Sequence, residues 1–151
     1  MKSLRVCYIF VCVACLVCGL TFAGDLPTGH FTGSGQWHAL DGASGTYTTS
    51  LTITSSRLTH RSTWEQEGEE KEMAYSMTLV VRGPGFFDLA DEQGVVIGQL
   101  ACLGSRCSYA LEQDGAHVRE SPVFSDDGLS KFGSKVFDEY RIVWAERLTA
   151  E

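Results

Sequence analysis

The sequence predicts an all-β protein, a single antiparallel up-and-down β-barrel of eight to ten strands. After residue 29, apolar and polar residues alternate with a period of two along most of the chain. Turn-forming residues interrupt this alternation at short intervals, and no stretch carries the apolar stripe of a helix. A meander of this length usually closes on itself, because closure leaves no unpaired edge strand. A two-sheet sandwich shows the same alternation and is the alternative, which the short connections disfavour.

Residues 1–23 have the features of a cleaved signal peptide. Lys2 and Arg5 precede an uncharged apolar run over residues 6–22, and Thr21-Phe22-Ala23 places small residues where a signal peptidase cuts. A membrane anchor is the alternative, because the run is nearly long enough to span a bilayer. The cleavage-like end favours removal of the segment.

The rest of the chain is interpreted as a flexible N-terminal lead over residues 24–29 and a single β-barrel domain over residues 30–151. We expect a secreted or periplasmic protein with no stable membrane insertion once the signal peptide is removed. The chain has 12 Lys and Arg against 19 Asp and Glu, a formal net charge of −7. This acidic balance argues against a nucleic-acid partner.

Ten strands are predicted between the turns. Asp41-Gly42, Asp114-Gly115 and Asp127-Gly128 are dipeptides that two-residue hairpin turns prefer, because both central residues need positive φ. The predicted strands cover residues 30–40, 44–54, 57–66, 71–82, 85–91, 95–102, 107–113, 116–124, 129–136 and 139–148.

Alternation within these strands gives the interior an aromatic character. In a wide barrel, the inward aromatic side chains would line a pocket for a ligand that is mostly apolar and has one polar end. In a narrow barrel they fill the interior, and eight strands leave only enough room for side chains or one small ligand. The sequence slightly favours a filled interior. If the barrel is hollow, the ligand-binding candidates are Tyr47, His60, Trp64, Tyr75, Met77, Tyr109 and Trp144.

A short motif at the start of the first strand resembles a known superfamily. Gly35-x-Trp37, followed by Gly42, Gly45 and Tyr47, resembles the start of the calycin-like barrels, which include lipocalins, fatty-acid-binding proteins and nitrobindin-like haem barrels. In that superfamily the Trp plugs one barrel end, and a basic residue of the final strand lies over its ring. The resemblance therefore implies a structural role for Trp37, with Arg141 or Arg147 as its cation–π partner.

The same resemblance raises the question of haem. Nitrobindin-like barrels hold their iron with a His near the C-terminal end, and residues 140–148 contain none. His60 falls on an inward strand face, where a hydrogen-bonded core imidazole is a commoner role than a haem or metal ligand. We therefore expect no cofactor and no metal, with haem at His60 as the alternative.

Cys102 and Cys107 are the two cysteines that remain after signal cleavage. Four residues separate them, with strand-like sequence on either side, so their Cα atoms can face each other across a hairpin. Redox motifs usually have two intervening residues at a helix start, and a zinc site needs further ligands. The pair is therefore predicted to form a structural disulfide.

Catalysis finds little support in the sequence. Ser34 and Ser44 lie among glycines but lack the Gly-x-Ser-x-Gly frame, and no two carboxylates are recognisable across a cleft. We expect a secreted small-ligand-binding barrel for an apolar or amphipathic molecule, and not an enzyme. The alternative is a packed barrel in the cell envelope, a surface interaction or inhibitor protein with no internal ligand. It would meet a basic protein partner through the acidic hairpin Glu65–Glu72.

Overall fold

Ten antiparallel strands form one closed barrel in the computed structural model, which describes residues 26–151. The predicted all-β, up-and-down barrel is confirmed, because consecutive strands pair throughout and β1 closes the barrel against β10. No helix in residues 26–151 is long and apolar enough to cross a membrane. The strands are β1 (Gly29–Ala39), β2 (Ser44–Ile53), β3 (Arg57–Gln66), β4 (Glu69–Gly83), β5 (Phe86–Ala90), β6 (Val96–Leu103), β7 (Arg106–Gln113), β8 (Ala116–Ser125), β9 (Gly128–Phe137) and β10 (Tyr140–Ala150).

The N-terminal boundary differs slightly from the expectation. The predicted signal peptide, residues 1–23, lies outside the described residues. Of the predicted flexible lead, Leu26 packs against the barrel core and Gly29 already belongs to β1. The described part of the lead is therefore held by the barrel.

The hairpin turns confirm one of the three predicted dipeptides as a two-residue turn with positive φ at both positions. Asp114 and Gly115 have φ of 52° and 75°. Asp41-Gly42 lies in a four-residue connection in which Gly42 alone has positive φ, and Gly128 is already the first residue of β9. A longer connection spreads the chain reversal over more residues, so it requires fewer left-handed ones.

The strand ends divide the barrel into two halves. The closed end holds the β2–β3, β4–β5, β6–β7 and β8–β9 turns, and the open end holds the other five. Buried apolar side chains form a hydrophobic core that extends from the closed end toward the middle of the barrel, as expected of a protein interior. This core comprises Phe31, Leu51, Ile53, Leu58, Met77, Leu79, Leu89, Leu100, Cys102, Cys107, Tyr109, Leu111, Phe124, Leu129 and Leu148.

The predicted disulfide lies in this core. Cys102 of β6 and Cys107 of β7 are bonded and occupy directly opposed positions of the hairpin, with Cα atoms 4.0 Å apart. Both side chains are buried. The bond therefore fixes the register of the β6–β7 hairpin at the closed end.

The barrel wall is lower on one side of the open end. β5 is only five residues long, and its pairing with β4 begins at Thr78, so the first part of β4 pairs with β3 alone. On the other side, β6 pairs with β7 only as far as Leu111. A gap, the side notch, therefore remains between β4 and the end of β7, above the β5–β6 turn.

Candidate functional site

The open half of the barrel encloses a cavity of about 340 Å³. Barrel diameter grows with strand number, so ten strands leave more interior space than the eight that side chains can fill. The expectation of a filled interior is therefore wrong for the open half and holds only near the closed end. Six aromatic residues, the aromatic wall, dominate the lining: Trp37, Tyr47, Trp64, Tyr75, Tyr140 and Trp144.

Three of these rings pack against glycines on the inner face of the barrel, where a larger residue would clash with the ring. Each glycine faces an aromatic residue at the paired position of the next strand: Gly35 with Tyr47, Gly45 with Trp37, and Gly133 with Trp144. A Cβ at Gly133 would lie 2.3 Å from Cε2 of Trp144, and one at Gly35 equally close to Cζ of Tyr47. The rings therefore lie against the backbone of the wall and leave the centre of the cavity open. Gly35 of the Gly35-x-Trp37 motif thus accommodates Tyr47.

A buried ion cluster, formed by Glu120, Lys131 and Glu146, lies at the junction between the cavity and the core. Nζ of Lys131 is 3.0 Å from Oε2 of Glu120 and 2.9 Å from Oε2 of Glu146. All three side chains are 2–3% exposed. The glutamates border the cavity, whereas Lys131 is not among its lining residues. The cluster therefore presents its acidic side to the cavity.

The remaining oxygens of both carboxylates also have partners. Trp144 donates from Nε1 to Oε1 of Glu120 at 3.0 Å, and the Tyr47 hydroxyl donates to Oε1 of Glu146 at 2.7 Å. Nε2 of His60 lies 3.8 Å from the same Glu146 oxygen. Buried charges are tolerated where they are both paired and hydrogen-bonded, as here. Two side chains of the aromatic wall thus orient the ion cluster.

The cluster shifts the pKa values of its own members. Burial raises the pKa of Glu146, but His60, the Lys131 ammonium and the Tyr47 hydroxyl outweigh it and lower this pKa to about 2. Burial lowers the pKa of Lys131, and the carboxylates of Glu120 and Glu146 reverse the effect, so the net shift is upward. Burial, reinforced by Glu146, raises the pKa of the Tyr47 phenol. Lys131 and Glu146 are therefore charged near neutral pH.

His60 is buried at the edge of the cavity, with one ring nitrogen engaged. Its Nε2 lies 2.9 Å from Oγ1 of Thr49, and its ring packs on Tyr75 with centroids 4.9 Å apart. Nδ1 is buried and has no hydrogen-bond partner within residues 26–151. The other ring nitrogen lies between the Thr49 hydroxyl and the Glu146 carboxylate, and haem at His60 stays a prediction. In the same part of the chain, no three His, Cys, Asp or Glu side chains are grouped to hold a metal ion.

The structure brings five of the seven candidate ligand-binding residues to the cavity. They are Tyr47, His60, Trp64, Tyr75 and Trp144. Met77 and Tyr109 lie deeper, in the packed core, where they are 2% and 5% exposed. The Tyr109 hydroxyl is 3.4 Å from the Tyr75 hydroxyl, so it supports the wall from behind. Alternation identifies an inward residue, but it does not give the residue's depth along the barrel.

The expected cation–π partners of Trp37 are on the wrong face of β10. Arg141 and Arg147 are exposed, and they alternate with the inward residues Ile142, Trp144 and Glu146. Neither arginine makes a cation–π contact with Trp37, which instead borders the cavity. The physical reason is the two-residue period of a strand, which sends odd-numbered β10 side chains to solvent.

Sequence reasoning missed the ion cluster. Glu120, Lys131 and Glu146 come from three adjacent strands, β8, β9 and β10, so their grouping depends on how the strands pair. A signal was present, because Glu146 continues the inward series of Trp144 and Leu148 on β10. Alternation alone does not identify a buried ion cluster, because charged residues are rarely buried.

Acidic residues surround the routes into the cavity. The acidic hairpin, Glu65–Glu72, joins β3 and β4 at the open end. Part of its charge is neutralised, because Glu72 pairs with Arg61 and Glu69 with Lys71. The side notch is lined by further carboxylates and shares Tyr75 and Gln113 with the cavity lining. The carboxylates of the notch are Asp91, Glu92, Glu112 and Asp114.

A closed antiparallel barrel with an internal cavity is consistent with a calycin-like barrel, the class that the first-strand motif predicts. Among solved structures, the chain is similar to an S-type phycobiliprotein lyase from Guillardia theta, with a TM-score of 0.65 and 9% sequence identity. The match covers 82% of this chain and 88% of that one. No protein-family model matches the chain, and no curated protein matches it in sequence.

At this identity the likeness concerns the fold alone. The neighbour is a lyase, so barrels of this shape include an enzyme. The prediction that this chain is not an enzyme therefore stays a prediction.

Proposed function

We propose that the protein binds one small amphipathic molecule in the cavity of the open half. A cavity of about 340 Å³ falls within the size range of small-molecule pockets. Such pockets combine a mostly apolar lining with a few convergent polar groups, and the aromatic wall and the ion cluster supply these two parts.

The observation that carries the proposal is the position of the ion cluster. Replacing a buried ion pair by well-packed hydrophobic residues is often neutral or stabilising, so Glu120, Lys131 and Glu146 are not explained by stability alone. They lie where the packed core ends and the cavity begins. A polar group of a bound molecule can meet the two carboxylates there while its apolar body contacts the rings.

We also propose that the protein acts outside the cytoplasm, as a secreted or periplasmic binding protein. Support comes from the signal-like segment over residues 1–23 and from the Cys102–Cys107 disulfide. Disulfides form and persist mainly in oxidising compartments.

A packed barrel acting only through its surface is less well supported. The cavity leaves the open half unfilled, and Arg61 and Lys71 already neutralise part of the acidic hairpin. A basic protein partner at residues 65–72 stays a prediction.

The proposal is tested by blocking the cavity from within. N-phenyl-1-naphthylamine, a neutral probe whose fluorescence rises in apolar surroundings, would be titrated into the wild type and two β8 variants. Val118→Trp adds an indole at a cavity-lining position, and Val123→Trp adds the same group on the exposed face of the strand. We expect saturable 1:1 binding by the wild type and Val123→Trp, and loss of binding in Val118→Trp.

Circular dichroism in the aromatic region would verify that both variants keep the fold. Equal probe affinity in a folded Val118→Trp and a folded Val123→Trp protein would show that the cavity is not the binding site. Absence of probe binding by the wild type would argue against an internal ligand altogether.

A further inference from the structure

The chemistry of the open half also points to a ligand class. We propose that the cavity recognises an organic cation, whose ammonium group meets Glu120 and Glu146 while its apolar body lies against the aromatic wall. This inference rests on the proposed function, because it names the kind of molecule that the same cavity takes.

The ion cluster has an excess of carboxylates over ammonium groups. Two carboxylates share the single ammonium of Lys131, so the formal charge of the ionised cluster is negative. The carboxylates border the cavity and Lys131 does not, so a ligand approaches the acidic side. In a site of low dielectric constant, an uncompensated charge of this sign favours a cation and disfavours an anion.

The rings of the aromatic wall also favour a cation. Four of its rings, Trp37, Trp64, Tyr75 and Tyr140, have no hydrogen bond to the ion cluster among the described contacts. Faces of Trp and Tyr rings attract ammonium groups, and aromatic cages are the usual sites for such ligands. A neutral apolar molecule would be accommodated equally well by aliphatic residues. The concentration of rings beside two carboxylates therefore favours a cation.

The side notch next to the cavity is acidic as well. The side notch carries Asp91, Glu92, Glu112 and Asp114, and it shares lining residues with the cavity. Grooves lined by charge of one sign raise the local concentration of the opposite charge and speed its association. The side notch and the carboxylates of the ion cluster thus both carry negative charge, which attracts cations.

Two basic side chains also line the cavity. Lys135 of β9 lines it beside Val118 and Ile142, its paired neighbours, and opposes cation binding. His60 lies next to Glu146, and a protonated imidazole would cancel the excess negative charge. Measurements are made at pH 8, where primary amines remain protonated.

The test compares three probes that share one apolar body. Calorimetric titrations at pH 8 would measure the affinities of 2-(1-naphthyl)ethylamine, 2-(1-naphthyl)ethanol and 1-naphthylacetate. We expect the amine to bind at least about tenfold more tightly than the alcohol, because one added charge contact of ordinary strength gives that ratio. We expect the acetate to bind most weakly.

Three variants separate the local charge from the overall charge. Glu120→Gln keeps a side-chain oxygen for the Trp144 donor but leaves one carboxylate against Lys131, so the preference for the amine over the alcohol should fall about tenfold. Asp126→Asn makes the same charge change on the exposed β8–β9 turn at the closed end and should leave the preference unchanged. Lys135→Gln should increase it.

Binding of the uncharged alcohol tests whether the cavity takes a ligand, independently of charge. The proposed function and the cation preference can therefore fail separately. If the alcohol binds and the amine has no advantage, or if the acetate binds most tightly, the cation inference is overturned and the proposed function stands. If none of the three probes binds the folded wild type, the proposed function fails. An amine preference that Glu120→Gln leaves intact would also overturn the assignment to the ion cluster.

Discussion

The two halves of the barrel share most of their strands but differ in what those strands bury. At the closed end most inward side chains are aliphatic or aromatic, and Leu89 and Leu129 are almost completely buried. In the open half the inward positions carry rings, hydroxyls and the ion cluster around a cavity. The strands that reach the cavity therefore change the chemistry of their inward side chains along their length while keeping the same period of two.

This difference separates stability from recognition. Burial of a large apolar side chain contributes roughly 1.5–3 kcal/mol, whereas a buried ion pair contributes little net stability after desolvation. The closed end therefore supplies most of the stability of the barrel. Its packing in turn fixes the strands that hold the rings and charges of the open half, and preorganised groups of this kind bind without an ordering cost.

The largest expected effect comes from removing the central cation. Lys131→Met leaves the Glu120 and Glu146 carboxylates buried without their shared partner, and we expect the unfolding free energy to fall by roughly 3–5 kcal/mol. Lys135→Met makes the same change at the cavity wall, and no salt bridge within residues 26–151 involves Lys135. This control should lower the unfolding free energy much less. Urea denaturation measures both. Equal losses in the two variants would mean that the three groups do not act as one buried cluster.

A pair of truncations sharpens the contrast between the halves. Leu89→Ala opens a void in the closed end and should lower the unfolding free energy by roughly 2–5 kcal/mol. The affinity of the folded variant for N-phenyl-1-naphthylamine should not change. Trp64→Ala removes a half-buried ring of the cavity wall and should weaken probe binding more than it destabilises the protein. Denaturation and probe titration of the same samples measure both quantities. The opposite pattern would contradict the division of roles.

Acid should act on the open half through Glu146. Its pKa is lowered in the folded protein from 4.5 to about 2, so its ionised form stabilises the fold above about pH 4.5. That contribution, on the order of 3 kcal/mol, should be lost as the pH falls from about 4.5 to about 2. Glu146→Gln should flatten this part of the stability profile. Glu112→Gln, an exposed control, should follow the wild type, and parallel profiles for all three proteins would exclude Glu146 as the source.

The disulfide should have the smallest effect. Replacing Cys102 and Cys107 together by Ala removes a crosslink that closes a very short loop, which is worth roughly 2 kcal/mol. Because the bond lies at the closed end, probe affinity should not change. Thermal unfolding and probe titration of the double variant and the oxidised wild type would check this. A marked loss of binding in a folded double variant would show that the two halves are more tightly coupled than we infer.

The fold was predictable from the sequence, and the site only in part. Alternation and turn residues located all ten strands within a few residues and assigned Tyr47, Trp64 and Trp144 to the interior. The same alternation places Glu146 on the inward face of β10, but it does not show that a charged residue is buried there, because buried charges are rare. Its partners lie on other strands, so their pairing depends on register and closure. The width of the interior depends on the number of strands and on inward glycines such as Gly133, against which a ring of the next strand packs. Neither feature can be recognised from the sequence of a single strand.

The central claim, that the open half is hollow and receives a small molecule, is tested most directly by locating a bound probe. Nuclear Overhauser effects would be recorded between 2-(1-naphthyl)ethanol and the isotope-labelled protein at saturation. The account predicts contacts from the naphthyl protons to the rings of Trp64 and Trp144, and none to Leu89 in the closed end. Contacts confined to exposed residues of the outer face, or the absence of a saturable complex, would contradict it.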